Sequence, residues 1–264
     1  MTNRPLDALV RTLILAALSP AAFAFQPLIT DDTGTQGTGG NQLEFSFNKD
    51  RATSSSDTAD ISTLPLVYTR GVSETFDLFL AANHTRIRSS IPDTDASDSG
   101  NPSFGAKWRF YDNEESKTSL GLKPEIRLPV SASKEAAGLG TGRTSYGVTL
   151  ILTQEVPFGA VHANLATGRD RFRDNAANPD ATTARASLAP VWDIDEHWKL
   201  ALDVGRETEN AGGNKLRTHF AEIGAIFSPN KDLDFALGII RRNDNADPRT
   251  TTTSATLGVT WRFK

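Results

Sequence analysis

Apolar and polar residues alternate along most of this chain. Leu43, Phe45 and Phe47 are interleaved with Gln42, Glu44, Ser46 and Asn48, and Phe76, Leu78 and Leu80 with Asp77, Phe79 and Ala81. Phe104, Ala106, Trp108 and Phe110 enclose Gly105, Lys107 and Arg109, and Leu120, Leu122, Ile126 and Leu128 enclose Gly121, Lys123, Glu125 and Arg127. The pattern continues through Tyr146–Leu152, Val161–Leu165, Leu188–Trp192, Trp198–Val204, Ala221–Phe227, Leu233–Ile239 and Leu257–Phe263. Side chains on a strand point to opposite faces in turn, so each run makes one apolar face and one polar or small face. With a further strand near residues 59–68, the pattern predicts about twelve antiparallel strands.

The connections alternate in length. Short ones near 69–74, 112–117, 155–159, 193–197 and 228–232 take turns with longer ones near 49–58, 86–102, 129–143, 170–181, 207–216 and 242–250, which are rich in Ser, Thr, Asp, Asn and Gly. Short turns on one rim and long polar loops on the other predict an up-and-down transmembrane β-barrel, all-β, over residues 41–264. Strands of roughly 10 residues at ~3.3 Å each, tilted by ~40°, span about 25 Å, the height of such a barrel's apolar band. Tyr68, Phe110, Tyr111, Phe158, Trp192, Trp198, Phe227, Trp261 and Phe263 fall beside the short turns or the C-terminus, where an interfacial girdle belongs. An even strand number puts both termini on the short-turn side, the periplasmic one. Pro65, Pro124 and Pro190 lie inside strands, where each removes a ladder hydrogen bond, and bulges are expected there. A soluble β-sandwich or lipocalin-like barrel has the same period, because alternation does not say which face meets water.

The first residues read as an export signal. Arg4 and Arg11 precede the apolar run Leu13–Leu18, and Ala22-Phe23-Ala24 supplies a cleavage site, so residues 1–24 are expected to be removed near Ala24. That run is shorter than the ~20 residues of a membrane-spanning helix. There is no cysteine, so export brings no disulfide framework. The formal charge is −4; losing two cations (Arg4, Arg11) and one anion (Asp7) with the signal makes the chain more acidic still, which excludes a nucleic-acid partner.

If the apolar sets face lipid, the residues between them face the lumen. Lys107 and Arg109 then lie near Lys123, Glu125 and Arg127, across from Glu44, Asp203, Glu222 and Asp234. Charges on two walls of a narrow tube focus a field that would orient a passing solute, a carboxylate preferring the basic wall. The bland alternative is that these charges pair across the lumen and fill it. Residues 25–40 are too rich in Gly and Thr for a helix. They are expected either to enter the lumen from the periplasmic side, with Asp31 and Asp32 meeting lumen Arg or Lys, or to hang as a tail. Adjacent Asp31 and Asp32 lack the spaced acids of a calcium loop.

Catalysis has little to rest on. Outer-membrane lipid-modifying enzymes place a Ser or Thr beside a His. The histidines here are His84, His162, His197 and His219, with no Gly-x-Ser-x-Gly elbow, no metal-ligand cluster and no cofactor motif. Gly138–Gly142 lacks the Lys and the strand-to-helix setting of a phosphate loop.

Two segments carry a family resemblance. Pro27-Leu28-Ile29-Thr30-Asp31-Asp32-Thr33-Gly34-Thr35-Gln36-Gly37 followed by Gln42-Leu43-Glu44, and Leu128-Pro129 followed by Gly138-Leu139-Gly140-Thr141-Gly142 and Tyr146-Gly147, resemble recurring stretches of the outer-membrane proteins labelled meta-pathway of phenol degradation. Val130-Ser131-Ala132 stands where that family usually has a Gly soon after the Pro. The resemblance implies an outer-membrane barrel admitting small, often aromatic, compounds. The end of the chain, Leu257, Val259, Trp261 and Phe263 followed by Lys264, resembles the aromatic signal read by barrel-assembly machinery. The expected function is a passive channel for small solutes, aromatic or carboxylated ones among them. It would sit in outer-membrane lipid as a monomer, without cofactor or enzymatic activity. The alternatives are a lipid-acting barrel enzyme and a plugged structural barrel.

Overall fold

The structure, a computed structural model, describes residues 27–264 apart from 56 and 177, so the expected signal segment lies outside the described residues. Thirteen strands form one antiparallel sheet: β1 (Asn41–Ser54), β2 (Asp57–Ser73), β3 (Phe76–Ser89), β4 (Ala96–Ser99), β5 (Ser103–Asn113), β6 (Thr118–Arg127), β7 (Ser145–Val156), β8 (Gly159–Asp170), β9 (Ala181–Asp193), β10 (Trp198–Ala211), β11 (Asn214–Asn230), β12 (Leu233–Asp244) and β13 (Thr250–Phe263). Apart from β4 and β5, each strand pairs with its sequence neighbours, and β1 pairs with β13, so the sheet closes on itself. Both β4 and β5 pair with β3, the first with His84–Ile87 and the second with Phe76–Ala81, so together they form one interrupted stave. The barrel therefore has 12 staves.

Which face meets water is settled by burial. The inward positions include Glu44, Ser46, Asp77, Asn164, Ser187, Asp203, Glu222, Thr252 and Thr256, all buried. The outward positions include Leu80 at 61%, Leu165 at 61% and Ile223 at 69% exposure. A soluble sheet buries its apolar face; this one wraps a polar interior in an exposed apolar band, the arrangement a lipid surround requires. The aromatic residues assemble at the short-turn end, with Trp198 4.8 Å from Phe227 and Trp261 4.5 Å from Phe263 between ring centroids.

Two sequence expectations are corrected. The prolines cause no bulge: Pro65 opposite Asn83, Pro124 opposite Val148 and Pro190 opposite Val161 keep regular register. The shifts occur instead at Gly71/Ser73, Arg109/Tyr111 and Phe227/Asn230, at the short-turn ends, where strands twist into tight turns. The extra residue at Arg109/Tyr111 leaves both Phe110 and Tyr111 exposed, at 42% each. The connections expected at 49–58 and 207–216 are mostly strand. Only two residues separate Ser54 from Asp57, and β10 turns into β11 through Gly212 and Gly213, both with positive φ (56° and 82°). A Gly-Gly pair supplies the two left-handed residues of a type I′ hairpin turn, so hydrogen bonding runs on past the apolar band.

The loop between β6 and β7 leans over the long-loop opening. It contains a short helix, α1 (Ala132–Ala136), capped by Ser131, and its Leu139 packs on the inward Ile61 of β2 and Ile87 of β3. Asn101, in the break between β4 and β5, ties it down by donating to the carbonyls of Leu128 and Thr141.

Candidate functional site

Residues 27–40 form an extended strap inside the barrel. Leu28 is buried against Ala189, Val191 and Ala201 on β9 and β10. The amides of Ile29 and Thr30 donate to one Asp203 oxygen at 2.8 and 2.7 Å, and the Thr30 hydroxyl donates to the other at 2.7 Å. Asn164 of β8 receives the Asp31 amide at 2.7 Å and returns a bond to the Asp31 carbonyl at 2.8 Å. The Thr33 amide donates to Thr153 of β7, and the Gln36 amide to Asp77 of β3. The strap ends beside β2, where Gly39 and Gly71 bond backbone to backbone at 3.0 Å. A Cβ at Gly71 would overlap the Gly37 carbonyl, so glycine is required for that approach.

At the middle of the strap, Asp31 accepts from Lys107 at 2.9 Å and from Lys123 at 2.7 Å, one lysine on each carboxylate oxygen. Asp32 lies 3.6 Å from Lys107 and offers it a backbone carbonyl as well. Burial by itself would raise the Asp31 carboxyl; the two ammonium groups overcome it and hold the group below the ordinary carboxylate range.

The residues singled out in the sequence divide into four groups. Lys107 and Lys123 meet on Asp31, and Glu44 is buried on the same cavity. Arg127 pairs instead with Asp170 of β8 at 2.7 Å, and Glu125 lines the same smaller space as Arg185 and Glu207, themselves 3.9 Å apart. Arg109 sits at the short-turn rim, donating to the Glu74 carbonyl. The acidic wall stands across the barrel from the lysines. Asp203 and Glu222 are cross-strand partners on β10 and β11, which stand four to six staves from β5 and β6 around the barrel. The walls do not pair directly; the strap joins them, with Thr30 on Asp203 and Asp31 on the lysines. Glu222 is fully buried, and neither of its oxygens has a hydrogen-bond partner among the described residues.

The strap leaves space beside it. A cavity of about 300 Å³ lies between it and β1, β2, β3, β12 and β13, lined by Gln42, Glu44, Asp77, Phe79, Lys123 and Arg262, among others. A second space of about 40 Å³ toward the long-loop end is lined by Glu125, Arg127, Thr149, Thr183 and Arg185, and Phe79 and Lys123 line both. The Lys123 ammonium stands 5.2 Å from the centre of the Phe79 ring. Phe79 lies over Gly105, its cross-strand partner, where a Cβ would collide with the ring.

Sequence reasoning missed two contacts. Thr153 and His162 lie 3.0 Å apart on β7 and β8. They face the lumen beside the strap, and Thr153 also accepts the Thr33 amide, so this pair holds the strap rather than facing lipid. Phe79 was missed because its strand carries apolar residues on both faces. Counting back from the two-residue turn Pro157-Phe158 would have found the first, since Val156 opposite Gly159 sets Thr153 opposite His162.

The family model described as "Putative MetA-pathway of phenol degradation" matches residues 25–263. An outer membrane channel from Pseudomonas putida F1 superposes with a TM-score of 0.67 at 14% identity, covering 88% of this chain and 98% of the channel. The β domain of the Bordetella autotransporter BrkA gives 0.57 at 15% identity, covering 85% of this chain and 100% of its own. The KdgM porin in complex with oligogalacturonate gives 0.50 at 9% identity, over 84% of this chain and 99% of the porin. At these identities the likeness is one of fold. No curated protein matches the sequence.

Proposed function

This chain belongs to the family described as "Putative MetA-pathway of phenol degradation", and we propose that it is an outer-membrane channel for passive passage of small solutes, carboxylated aromatic compounds among them. The observation that carries this reading is the joint between the two lumen spaces, where Lys123 and Phe79 stand together. An ammonium group beside a ring face suits a solute that is flat and apolar at one end and anionic at the other. The 300 Å³ cavity next to it is at the lower end of the range for small-ligand sites.

The strap gives the channel its resting state. Asp31 occupies the seat between Lys107 and Lys123 that a solute carboxylate would take. In that role its side chain is an internal stand-in for the cargo, and an entering carboxylate competes with it for the same donors. Residues 27–40 then belong to the lumen and enter it from the periplasmic end, while the aromatic rim faces the inner leaflet.

Planar-bilayer conductance and liposome swelling with the purified mature protein test the reading. Swelling in benzoate faster than in a neutral solute of the same size is expected, together with a conductance that rises in Asp31→Asn. Neither conductance nor solute-dependent swelling, in this variant as in the native protein, would sink the channel and leave a plugged scaffold. Release of fatty acid from lipid, lost in His162→Ala, would move the assignment to an enzyme.

A further inference from the structure

The outward face of the barrel is not equally charged all round. Above the apolar band, at the long-loop end, β1 presents Lys49 and Arg51, β3 presents Arg86 and Arg88, β10 presents Arg206 and β12 presents Arg241, all exposed. The register aligns several of them. Arg88 is opposite Asp60, Asp60 opposite Arg51, Arg51 opposite Thr253 and Thr253 opposite Arg241, one row across five neighbouring strands. Arg86, Ser62 and Lys49 make the next row. None of these six cations has an ion pair within 4.0 Å among the described residues, although Asp60 stands between two of them.

The other half of the barrel is the reverse. Strands β5, β6, β7 and β9 place no Lys or Arg outward; their cations, Lys107, Lys123, Arg127 and Arg185 among them, point into the lumen. On β8 the outward Arg169 is tied to Asp180 at 3.6 Å. The short-turn rim carries aromatic side chains instead.

Five exposed cations within a few strand spacings (~4.8 Å each) repel one another unless an anion lies between them. Their place decides which anion. Lys49 follows Phe47 by one outward position and Arg241 follows Ile239, so the charged groups begin where the apolar band ends. Aliphatic stems there lie along the apolar surface while the charged heads reach the headgroup layer. Guanidinium groups spaced along a row match phosphate oxygens by paired hydrogen bonds. We infer that the outward face of β12, β13, β1, β2 and β3 at the long-loop rim is a binding site for the phosphates of the outer leaflet's glycolipid, the lipid A moiety. The inference rests on the outer-membrane reading and its orientation.

The test uses the full mature barrel in vesicles and in detergent, with bisphosphorylated lipid A, its dephosphorylated form and phosphatidylglycerol as probes. Protease protection after reconstitution into phosphatidylcholine vesicles first reports membrane insertion. Native mass spectrometry then counts retained lipid for the native protein, the triple variant R51Q/R88Q/R241Q, the charge-preserving R51K/R88K/R241K and the short-turn control K117Q. Retention of bisphosphorylated lipid A is expected to fall at least tenfold in the Gln triple. It should fall less in the Lys triple and stay unchanged in K117Q, and the dephosphorylated form should be held weakly by all. Insertion with equal retention of the two lipid A forms, or of lipid A by the native protein and the Gln triple, overturns the site and leaves the membrane reading standing. Equal retention of phosphatidylglycerol overturns the choice of glycolipid. A dimer that the Gln triple dissociates overturns it in favour of a protein contact. Failure to insert overturns both readings together.

Discussion

Asp31 and Lys123 meet at 2.7 Å inside the barrel although 92 positions separate them in the chain. The pair closes the strap onto the basic wall, and Lys107 completes it on the other carboxylate oxygen. Asp31→Asn keeps the size of the side chain and removes the charge, which leaves two lumen lysines without their shared anion. Losing one partner of a buried pair costs about 3–5 kcal/mol, and the lower end applies here because the adjoining cavity admits water. The expected result is an opened strap in an intact barrel: native heat-modifiable mobility on gels, faster proteolysis within residues 27–40, and larger single-channel conductance. An unchanged conductance with the strap still protected would refute the latch.

The same contact predicts a pH dependence. The Asp31 carboxyl in the folded protein sits below its ordinary value of 3.8, because Lys107 and Lys123 outweigh the opposing effect of burial. A depressed carboxyl contributes stability that is complete above its unfolded value and is lost as pH falls through the folded one. The strap should therefore stay closed from neutral pH down to about pH 4 and loosen only below it. Conductance recorded at pH 7, 5 and 3 checks this, and Asp31→Asn should remove that step.

At the acidic wall, two adjacent carboxylates have different tasks. Asp203 accepts three bonds from Ile29 and Thr30, whereas Glu222, its cross-strand partner, accepts none from the described residues. Asp203→Ala should free the strap, at about 1.5–3 kcal/mol for each charged hydrogen bond lost. Glu222→Gln should leave the strap in place and change stability by about 1 kcal/mol or less, since it exchanges a buried group that holds no part of the strap for one of the same size. Because Asp31 and Asp203 hold one element, the Asp31→Asn/Asp203→Ala double variant should cost less than the sum of the two. Denaturant-dependent proteolysis of the four proteins measures the cycle, and strict additivity would mean that the strap is not a unit.

Much of this barrel was legible in the alternation. The outward sets from Leu43–Phe47 to Leu257–Phe263 follow directly from period two, because one backbone geometry governs every strand. The same rule placed Lys107, Lys123, Asp203 and Glu222 inside. It could not say what each would meet, since a lumen contact depends on register summed over many strands and on the path of a segment with no period. The Gly212-Gly213 turn does fix one such contact: Ala211 opposite Asn214 puts Asp203 opposite Glu222. Counting from other tight turns works until a bulge intervenes. The bulges could not be read from Pro65, Pro124 or Pro190, because a proline lacks one donor yet keeps the strand's spacing, and the ladder simply skips it.

Phe79 provides the last test, and it separates recognition of the ring from recognition of the charge. The ring lies over Gly105 and 5.2 Å from the Lys123 ammonium, at the joint of the two lumen spaces. Phe79→Leu keeps an apolar side chain there but removes the ring face. A ring–ring contact and a cation–ring contact are each worth about 0.5–1.5 kcal/mol, so the preference for benzoate over cyclohexanecarboxylate should drop roughly three- to tenfold. Permeation of acetate should change little, because Lys107 and Lys123 remain. Gly105→Ala puts a Cβ against the same ring and against the Pro124 carbonyl, so both must shift, and the preference should move in the same direction without altering any charge. Liposome swelling in the three carboxylates, at matched ionic strength, gives the comparison. If both variants discriminate between the two ring acids as the native protein does, Phe79 is wall packing and selection rests on charge alone.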